Sequence, residues 1–368
     1  MVIDQIDTAL YRLPLDLDEG SSVGAIGDAG HGVLEHEELI TVALRADGLV
    51  GHGYSYTIGH GGHAIKALID HDLAPMLRGR DPADIEGLWQ EMWRGLLYVG
   101  RGGLAAFAIA GIDVALWDLR GKREEQPLYR LLDAESRPIP AYGSGVDLPK
   151  PLESLLAQVD GFLERGFPGV KVKIGRPDPG EDERRVAAVR ELIGDRTDLM
   201  VDANMTWGCV EALERGRRLQ PYGLLWYEEP TIPEDVAGHA RLVAELEVPI
   251  AVGESLHSTH EFHEYVQARA AEVIQIDPIT NGGITASLAA LRMADEAGLA
   301  TSSHYTDELS AHLLCASDRP IYLEKHAFAL DRYLEEPQVV RDGVVHPTDT
   351  PGTGMRFIEQ SLEPFRVG

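Results

Sequence analysis

Lys173, Asp202, Glu228, Glu254, Asp277, His304 and Glu324 follow one another at steps of 29, 26, 26, 23, 27 and 20 residues. Each lies in or just beyond a short apolar run. The runs are GVKVKIG (169–175), LMVDAN (199–204), LLWYEEP (224–230), PIAVGES (249–255), VIQIDP (273–278), ATSSHY (300–305) and IYLEKH (321–326). An earlier run, IPAYGSG (139–145), makes eight strand candidates, nearly all separated by amphipathic stretches. In a barrel of parallel strands every C-terminal end opens on the same face, so these polar residues converge there. The spacing therefore proposes a fold and a site together.

The stretches 151–165, 181–193, 210–219, 237–246, 260–271 and 285–297 carry charge on one side and Ala, Val or Leu on the other. That is the pattern of helices packed around a barrel. Residues 1–57 instead read as strands, with Asp47-Gly48 as a hairpin turn between two alternating runs. Helical patterns follow at 62–77, 84–98 and 102–130, so the first 132 residues predict an α+β domain. Residues 133–342 predict the barrel. The Pro/Gly-rich tail, 343–368, is expected to pack back on the first domain.

The net charge of −27 argues against nucleic acid, whose phosphates need clustered Lys and Arg. Only six lysines stand among 33 basic residues, against 60 acidic ones. Such a surface suits a cytosol at high salt, where screening relieves self-repulsion, and predicts a halophilic origin. No run approaches 18 uncharged apolar residues, and the acidic start MVIDQIDTAL does not read as a signal peptide. A soluble, cytoplasmic protein without membrane contact is expected. Cys209 and Cys315 lie in helix-like segments and suggest neither a disulfide framework nor a zinc site.

Asp202, Glu228 and Glu254 end three successive strand candidates. One carboxylate at such a place is ordinarily a solvated loop residue, but three on adjacent strands call for a cation. Three hard oxygen ligands that leave room for water and substrate suit Mg²⁺, one per subunit. Glu229 competes with Glu228, and only one of two successive strand residues can face the ion. Lys171 and Lys173 lie two apart, so they share a side. Their repulsion is expected to lower Lys173 toward neutrality as a general base, with Lys171 holding the substrate carboxylate. Asp277 and His304 form a candidate acid/base dyad, the carboxylate orienting the imidazole. Glu324 is expected to donate a hydrogen bond to a developing enolate if its pKa is raised. Asn204 and Ser144 are candidate substrate contacts. Together these parts suit abstraction of a proton alpha to a carboxylate, with a divalent ion stabilising the enolate.

Lys171-Val172-Lys173, Asp202 with Asn204, Glu228-Glu229-Pro230, Gly253-Glu254, Asp277, His304 and Glu324 resemble the enolase superfamily, specifically its mandelate racemase subgroup. The resemblance spans essentially the whole chain. It implies a modified (β/α)7β TIM barrel and an α+β capping domain completed by the C-terminal tail. In that family the first Glu of EEP is the metal ligand, which favours Glu228. The muconate-lactonizing subgroup has a lysine on its sixth strand, where this chain has Asp277. A homo-oligomer acting on a small carboxylate is implied.

The family's cap loops close over the substrate, and one of them here would be 20–36. Its sequence GDAGHGVLEHEE, with His31 and His36, suits hydroxyl groups better than a phenyl ring. The HG in this loop and YVGRGG (98–103) resemble acid-sugar enzymes, including cycloisomerases of 3,6-anhydro-galactonate. The expected activity is acid-sugar dehydration or cycloisomerisation; the alternative is racemisation or epimerisation of an α-hydroxy acid such as mandelate. A non-catalytic descendant would be expected to have lost ligands or bases, and none is lost.

Overall fold

The computed structural model describes residues 1–15, 36–326 and 330–368, and the backbone of 26–28 and 32–34. His31 lies outside the described residues. Strands β1 (Ile3–Pro14), β4 (His36–Ala46) and β5 (Leu49–Ile58) form an antiparallel sheet in the order β1-β4-β5. Between them in sequence, β2 (Ile26–Asp28) and β3 (Gly32–Leu34) pair with each other. Asp47 and Gly48 both take positive φ, 48° and 82°, as a two-residue hairpin turn matched to strand twist requires.

Helix α1 (Gly62–Leu68) continues through a π turn into α2 (Ala74–Leu77), followed by α3 (Ile85–Gly95), α4 (Leu104–Glu124) and α5 (Leu128–Leu131). The pattern predicted over 102–130 is thus two helices. Glu125 adopts φ 52° and Pro127 follows, so the chain cannot continue the first helix. Helix α4 is buried on nearly every face because β5 lies against it at close range. A Cβ at Gly53 would stand 2.2 Å from Gly111 O.

The barrel strands are β6 (Ile139–Ser144), β7 (Gly169–Lys173), β8 (Asp198–Asp202), β9 (Leu224–Glu228), β10 (Ile250–Val252), β11 (Val273–Ile276), β12 (Ala300–Ser303) and β13 (Pro320–His326). They pair in sequence order, all parallel, and β13 closes on β6. Seven helices connect them: α6 (Leu152–Glu164), α7 (Pro179–Ile193), α8 (Cys209–Leu219), α9 (Val236–Glu245), α10 (Thr259–Ala268), α11 (Ile284–Ala297) and α12 (Asp307–Cys315). The (β/α)7β reading holds. Helix α12 was absent from the amphipathic set for a physical reason: all nine of its residues are buried, so it shows no polar stripe.

Tyr142, Met200, Trp226, Ala251, Val273 and Tyr322 fill the barrel interior as one buried cluster. Side chains alternate along a strand, so two residues further on the same inward face come Ser144, Asp202, Glu228, Gln275 and Glu324. The apolar plug thus floors a polar layer.

After β13 the chain pairs β14 (Val344–Val345) with β6 in antiparallel fashion and runs back over the sheet of β1, β4 and β5. Leu10 N donates to Gly368 O and Val367 N to Leu10 O, both at 2.9 Å, and Phe357 meets the Tyr54 ring at 5.8 Å. The N-terminal elements also seat on the barrel. Trp89 Nε1 donates to Gly282 O at 2.7 Å, and buried Asp113 accepts from the Thr285 hydroxyl and N–H at 2.6 and 2.9 Å.

Candidate active site

Asp202 and Glu228 are the last residues of β8 and β9, and Glu254 stands two past β10. Each offers a carboxylate oxygen, and these atoms all lie within 4.8 Å of one another. Gly253 delivers Glu254 there. A Cβ at that glycine would be 1.7 Å from Gln275 O, so no other residue lets β10 lie so near β11. Glu228 is fixed by three donors. Lys171 Nζ reaches Oε1 at 2.5 Å, and Trp226 Nε1 and Gln275 Nε2 reach Oε2 at 2.8 Å each. Burial pushes its carboxyl up, Lys171 opposes, and Asp202 and Glu254 add to the rise. Glu229, its rival, is buried but is not one of the three grouped carboxylates, and Asn204 N–H donates to Asp202 Oδ1 at 2.8 Å.

A residue that could move a proton abuts each end of the trio. Lys173 Nζ lies 2.5 Å from Asp202 Oδ2, and His304 Nε2 lies 3.4 Å from Glu254 Oε2. The other imidazole nitrogen, Nδ1, is 2.8 Å from Asp277 Oδ2, whose partner oxygen accepts the N–H groups of Ile279 and Thr280 at 2.8 and 3.2 Å. Asp277 accepts on both oxygens, so Nδ1 donates to it and Nε2 faces the trio. Burial works against the imidazolium, yet Glu254 and the Asp277 bond raise His304 to about 10.

Two electrostatic expectations are overturned. Burial and Lys171 both lower Lys173, but Asp202 in direct contact, together with Glu254 and Glu228 behind it, outweighs them and the Lys173 pKa rises. The reason is register: Lys173 and Asp202 are partners across β7 and β8, which places a carboxylate nearer than the second ammonium. Glu324 is likewise not a donor. Burial favours its neutral form, but Lys171, with Nζ 2.9 Å from Oε1, and the Tyr305 N–H at 2.7 Å hold it well below the usual range. Lys171 is 1 % exposed and is engaged by Glu228 and Glu324, with Asp202 at 3.7 Å.

Of the remaining candidates, Ser144 is wholly buried at the end of β6, opposite Lys171 in register. His36 stays within the sheet of β1, β4 and β5, its Nε2 3.9 Å from Glu38 Oε1.

A family model described as "Mandelate racemase / muconate lactonizing enzyme, N-terminal domain" matches residues 29–133, and one described as "Enolase C-terminal domain-like" matches 154–361. The chain belongs to the mandelate racemase/muconate lactonizing enzyme family of the enolase superfamily. Within this family it is 41 % identical to the 3,6-anhydro-alpha-L-galactonate cycloisomerase of Streptomyces coelicolor over the full length of both chains. Among solved structures it is similar to a racemase from Streptomyces coelicolor A3(2) with bound magnesium, at TM-score 0.94 and 40 % identity with both chains fully covered. It is also similar to L-talarate dehydratase from Polaromonas sp. JS666 complexed with Mg and L-glucarate. There the TM-score is 0.89 and the identity 33 %, covering 100 % of this chain and 98 % of that one.

The enolase-superfamily trio fits magnesium on its own chemistry. Its ligands are hard oxygens, Asp202 pushes the carboxyls of Glu228 and Glu254 up, and buried Glu254 Oε2 makes no hydrogen bond among the described residues, with His304 Nε2 3.4 Å away. The cap adds groups that spacing could not reveal. Tyr56 on β5 donates to Asp277 Oδ2 at 2.6 Å, and Tyr305 donates to buried Glu37 on β4 at 3.0 Å. Tyr56 and Tyr305 meet edge to face at 4.8 Å. Their signal in sequence is only a polar residue at an inward position of an alternating strand. Among the described residues, no helix is long and apolar enough to cross a membrane.

Proposed function

We propose that this chain is an acid-sugar lyase or isomerase that removes the proton alpha to the substrate's carboxylate, first of all a cycloisomerase of the 3,6-anhydro-galactonate type and secondly a dehydratase. One observation carries the reaction: Lys173 and His304 abut opposite ends of a buried carboxylate trio. A carbon held against the trio is thereby open to a proton-transfer group on each face. The full-length relationship to a cycloisomerase supports the order of the two activities.

Asp202, Glu228 and Glu254 would hold the magnesium ion. When bound, the ion supplies neutralisation of the negative charge that builds on the substrate carboxylate as the α-proton leaves. One of Lys173 and His304, once it has given up its own proton, removes the α-proton, and the other, still protonated, stands on the opposite face to protonate the departing β-oxygen. Asp277 holds the imidazole so that Nε2, not Nδ1, meets the substrate. Lys171 and Glu324 pair beneath them and stay charged, fixing the lower wall of the site.

The leaving oxygen distinguishes the two activities. Expulsion of a β-hydroxyl gives a 2-keto-3-deoxy acid lighter by one water, whereas expulsion of a ring ether gives a keto acid of unchanged mass. A screen of mono- and diacid sugars, 3,6-anhydro-galactonate included, with semicarbazide detection and mass spectrometry tests the proposal. Turnover of an α-hydroxy acid such as mandelate by racemisation alone, with no acid sugar consumed, would overturn it. A cytoplasmic homo-oligomer is part of the same proposal. Leu97, Tyr98 and Val99 stand exposed side by side, which supports assembly with another copy.

A further inference from the structure

His304 is bracketed by two carboxylates: Asp277 Oδ2 stands 2.8 Å from Nδ1, and Glu254 Oε2 stands 3.4 Å from Nε2. The two acids come from different loops, Glu254 from the one after β10 and Asp277 from the one after β11. Their spacing therefore depends on what fastens one loop to the other. The side chain of Asn281, 1 % exposed, bonds to both.

Leu256 N–H donates to Gly253 O at 3.1 Å, which closes a four-residue turn with Glu254 as its second member. Asn281 Nδ2 donates to the carbonyls at both ends of this turn, Gly253 O at 2.9 Å and Leu256 O at 2.8 Å. Asn281 Oδ1 accepts the Asp277 N–H at 2.7 Å, and the Asn281 N–H donates to Asp277 O at 2.9 Å. The amide has one workable orientation, because a flipped NH₂ would oppose the Asp277 N–H. Leu offers none of these bonds, and an ionised Asp offers no donor. Asn281 is itself held from the cap side. The next carbonyl, Gly282 O, takes the Trp89 indole N–H, and a Cβ at Gly283 would strike Asp113 at 2.4 Å.

We propose that Asn281 is a positioning residue that sets the spacing of Glu254 and Asp277, and so holds one magnesium ligand and the His304 imidazole in a single frame. Without its amide, two carbonyls and one N–H are left to find other partners in a buried place. The Glu254 turn is then free to relax away from Asp202 and Glu228, and the Asp277 main chain loses one of its two ties to Asn281. Partners of this kind behind a ligand govern metal affinity as well as ligand orientation.

Mg²⁺ alone, titrated by calorimetry into the metal-free full chain, is the first probe. Asn281→Asp keeps the volume and the acceptor but sets an oxygen, not a donor, against the two turn carbonyls. An added negative charge would by itself favour a cation, so a loss of affinity reports the displaced turn. This variant should bind Mg²⁺ about ten-fold more weakly than the wild type. Asn281→Leu should do the same, and the rise in its melting temperature on adding Mg²⁺ should shrink. A merely structural role would lower the metal-free and metal-bound melts together. At saturating Mg²⁺, Asn281→Leu should still show a kcat about ten-fold below the wild type, because excess metal cannot restore Asp277. Wild-type or tighter Mg²⁺ binding in Asn281→Asp, an undiminished Mg²⁺ shift in Asn281→Leu, or full recovery of its kcat by Mg²⁺ would overturn the proposal. The kcat comparison rests on the proton-transfer reading above, and the Mg²⁺ titration does not. A wild type that consumes no acid sugar would therefore remove that reading and leave the titration to decide the role of Asn281.

Discussion

Tyr56, from the cap, and His304, from the barrel, donate to one and the same oxygen: Asp277 Oδ2 accepts the phenol at 2.6 Å and the imidazole Nδ1 at 2.8 Å. With Ile279 and Thr280 on Oδ1, the carboxylate's hydrogen bonds include one that only a docked cap can supply. Removing that donor leaves more of Asp277's charge for the imidazolium. Tyr56→Phe should therefore shift the His304 limb of the pH–kcat profile upward and lower kcat by about two- to ten-fold. A profile superimposable on the wild type would show that the shared oxygen does not tune the dyad.

The trio makes a prediction about metal. EDTA should abolish activity and Mg²⁺ restore it. Asp202→Asn, Glu228→Gln and Glu254→Gln should each weaken Mg²⁺ binding without changing the circular dichroism spectrum. Gln275→Leu strips one of two donors from Glu228 Oε2 and should cost about ten-fold in affinity. Full activity in metal-free protein would contradict the site as described.

Glu37 ties stability to pH. Burial raises its carboxyl from 4.5 to about 8, against the lowering effect of the Tyr305 hydrogen bond. A folded-state pKa raised in this way favours the protonated form. The stabilisation is complete below the unfolded value and is lost as pH rises through about 8. Thermal melts at about pH 5 and about pH 9 should show the wild type losing more than Glu37→Gln, by roughly a few degrees. The same loss in both proteins would show that Glu37 is not the group responsible.

Net charge makes the fourth prediction. With −27 charges on 368 residues, self-repulsion should ease as salt screens it, so the melting temperature should climb with KCl toward molar concentrations. Equal stability in dilute buffer would count against a halophilic origin.

The barrel was legible because each strand is short, apolar and ended by a polar residue that the parallel arrangement carries to one face. Asp202, Glu228 and Glu254 could be grouped from that rule alone. The behaviour of Lys173 could not be read from its neighbour Lys171, since the decisive partner, Asp202, lies on the adjacent strand 29 residues on. Tyr56 and Glu37 escaped for a similar reason. Their partners are 221 and 268 residues away in the chain, across a contact between two domains that no periodicity encodes.

Proton exchange at the α-carbon is the most direct test of the two-sided site. An acid sugar that the wild-type enzyme consumes would be incubated with Mg²⁺ in D₂O and followed by proton NMR, using wild type, Lys173→Ala and His304→Asn. Both variants should lose turnover, and at least one should still wash out the α-proton, because the remaining group reaches its own face of the carbon. Full turnover in either variant, or conversion by the wild type with the α-proton retained at its carbon, would contradict the account.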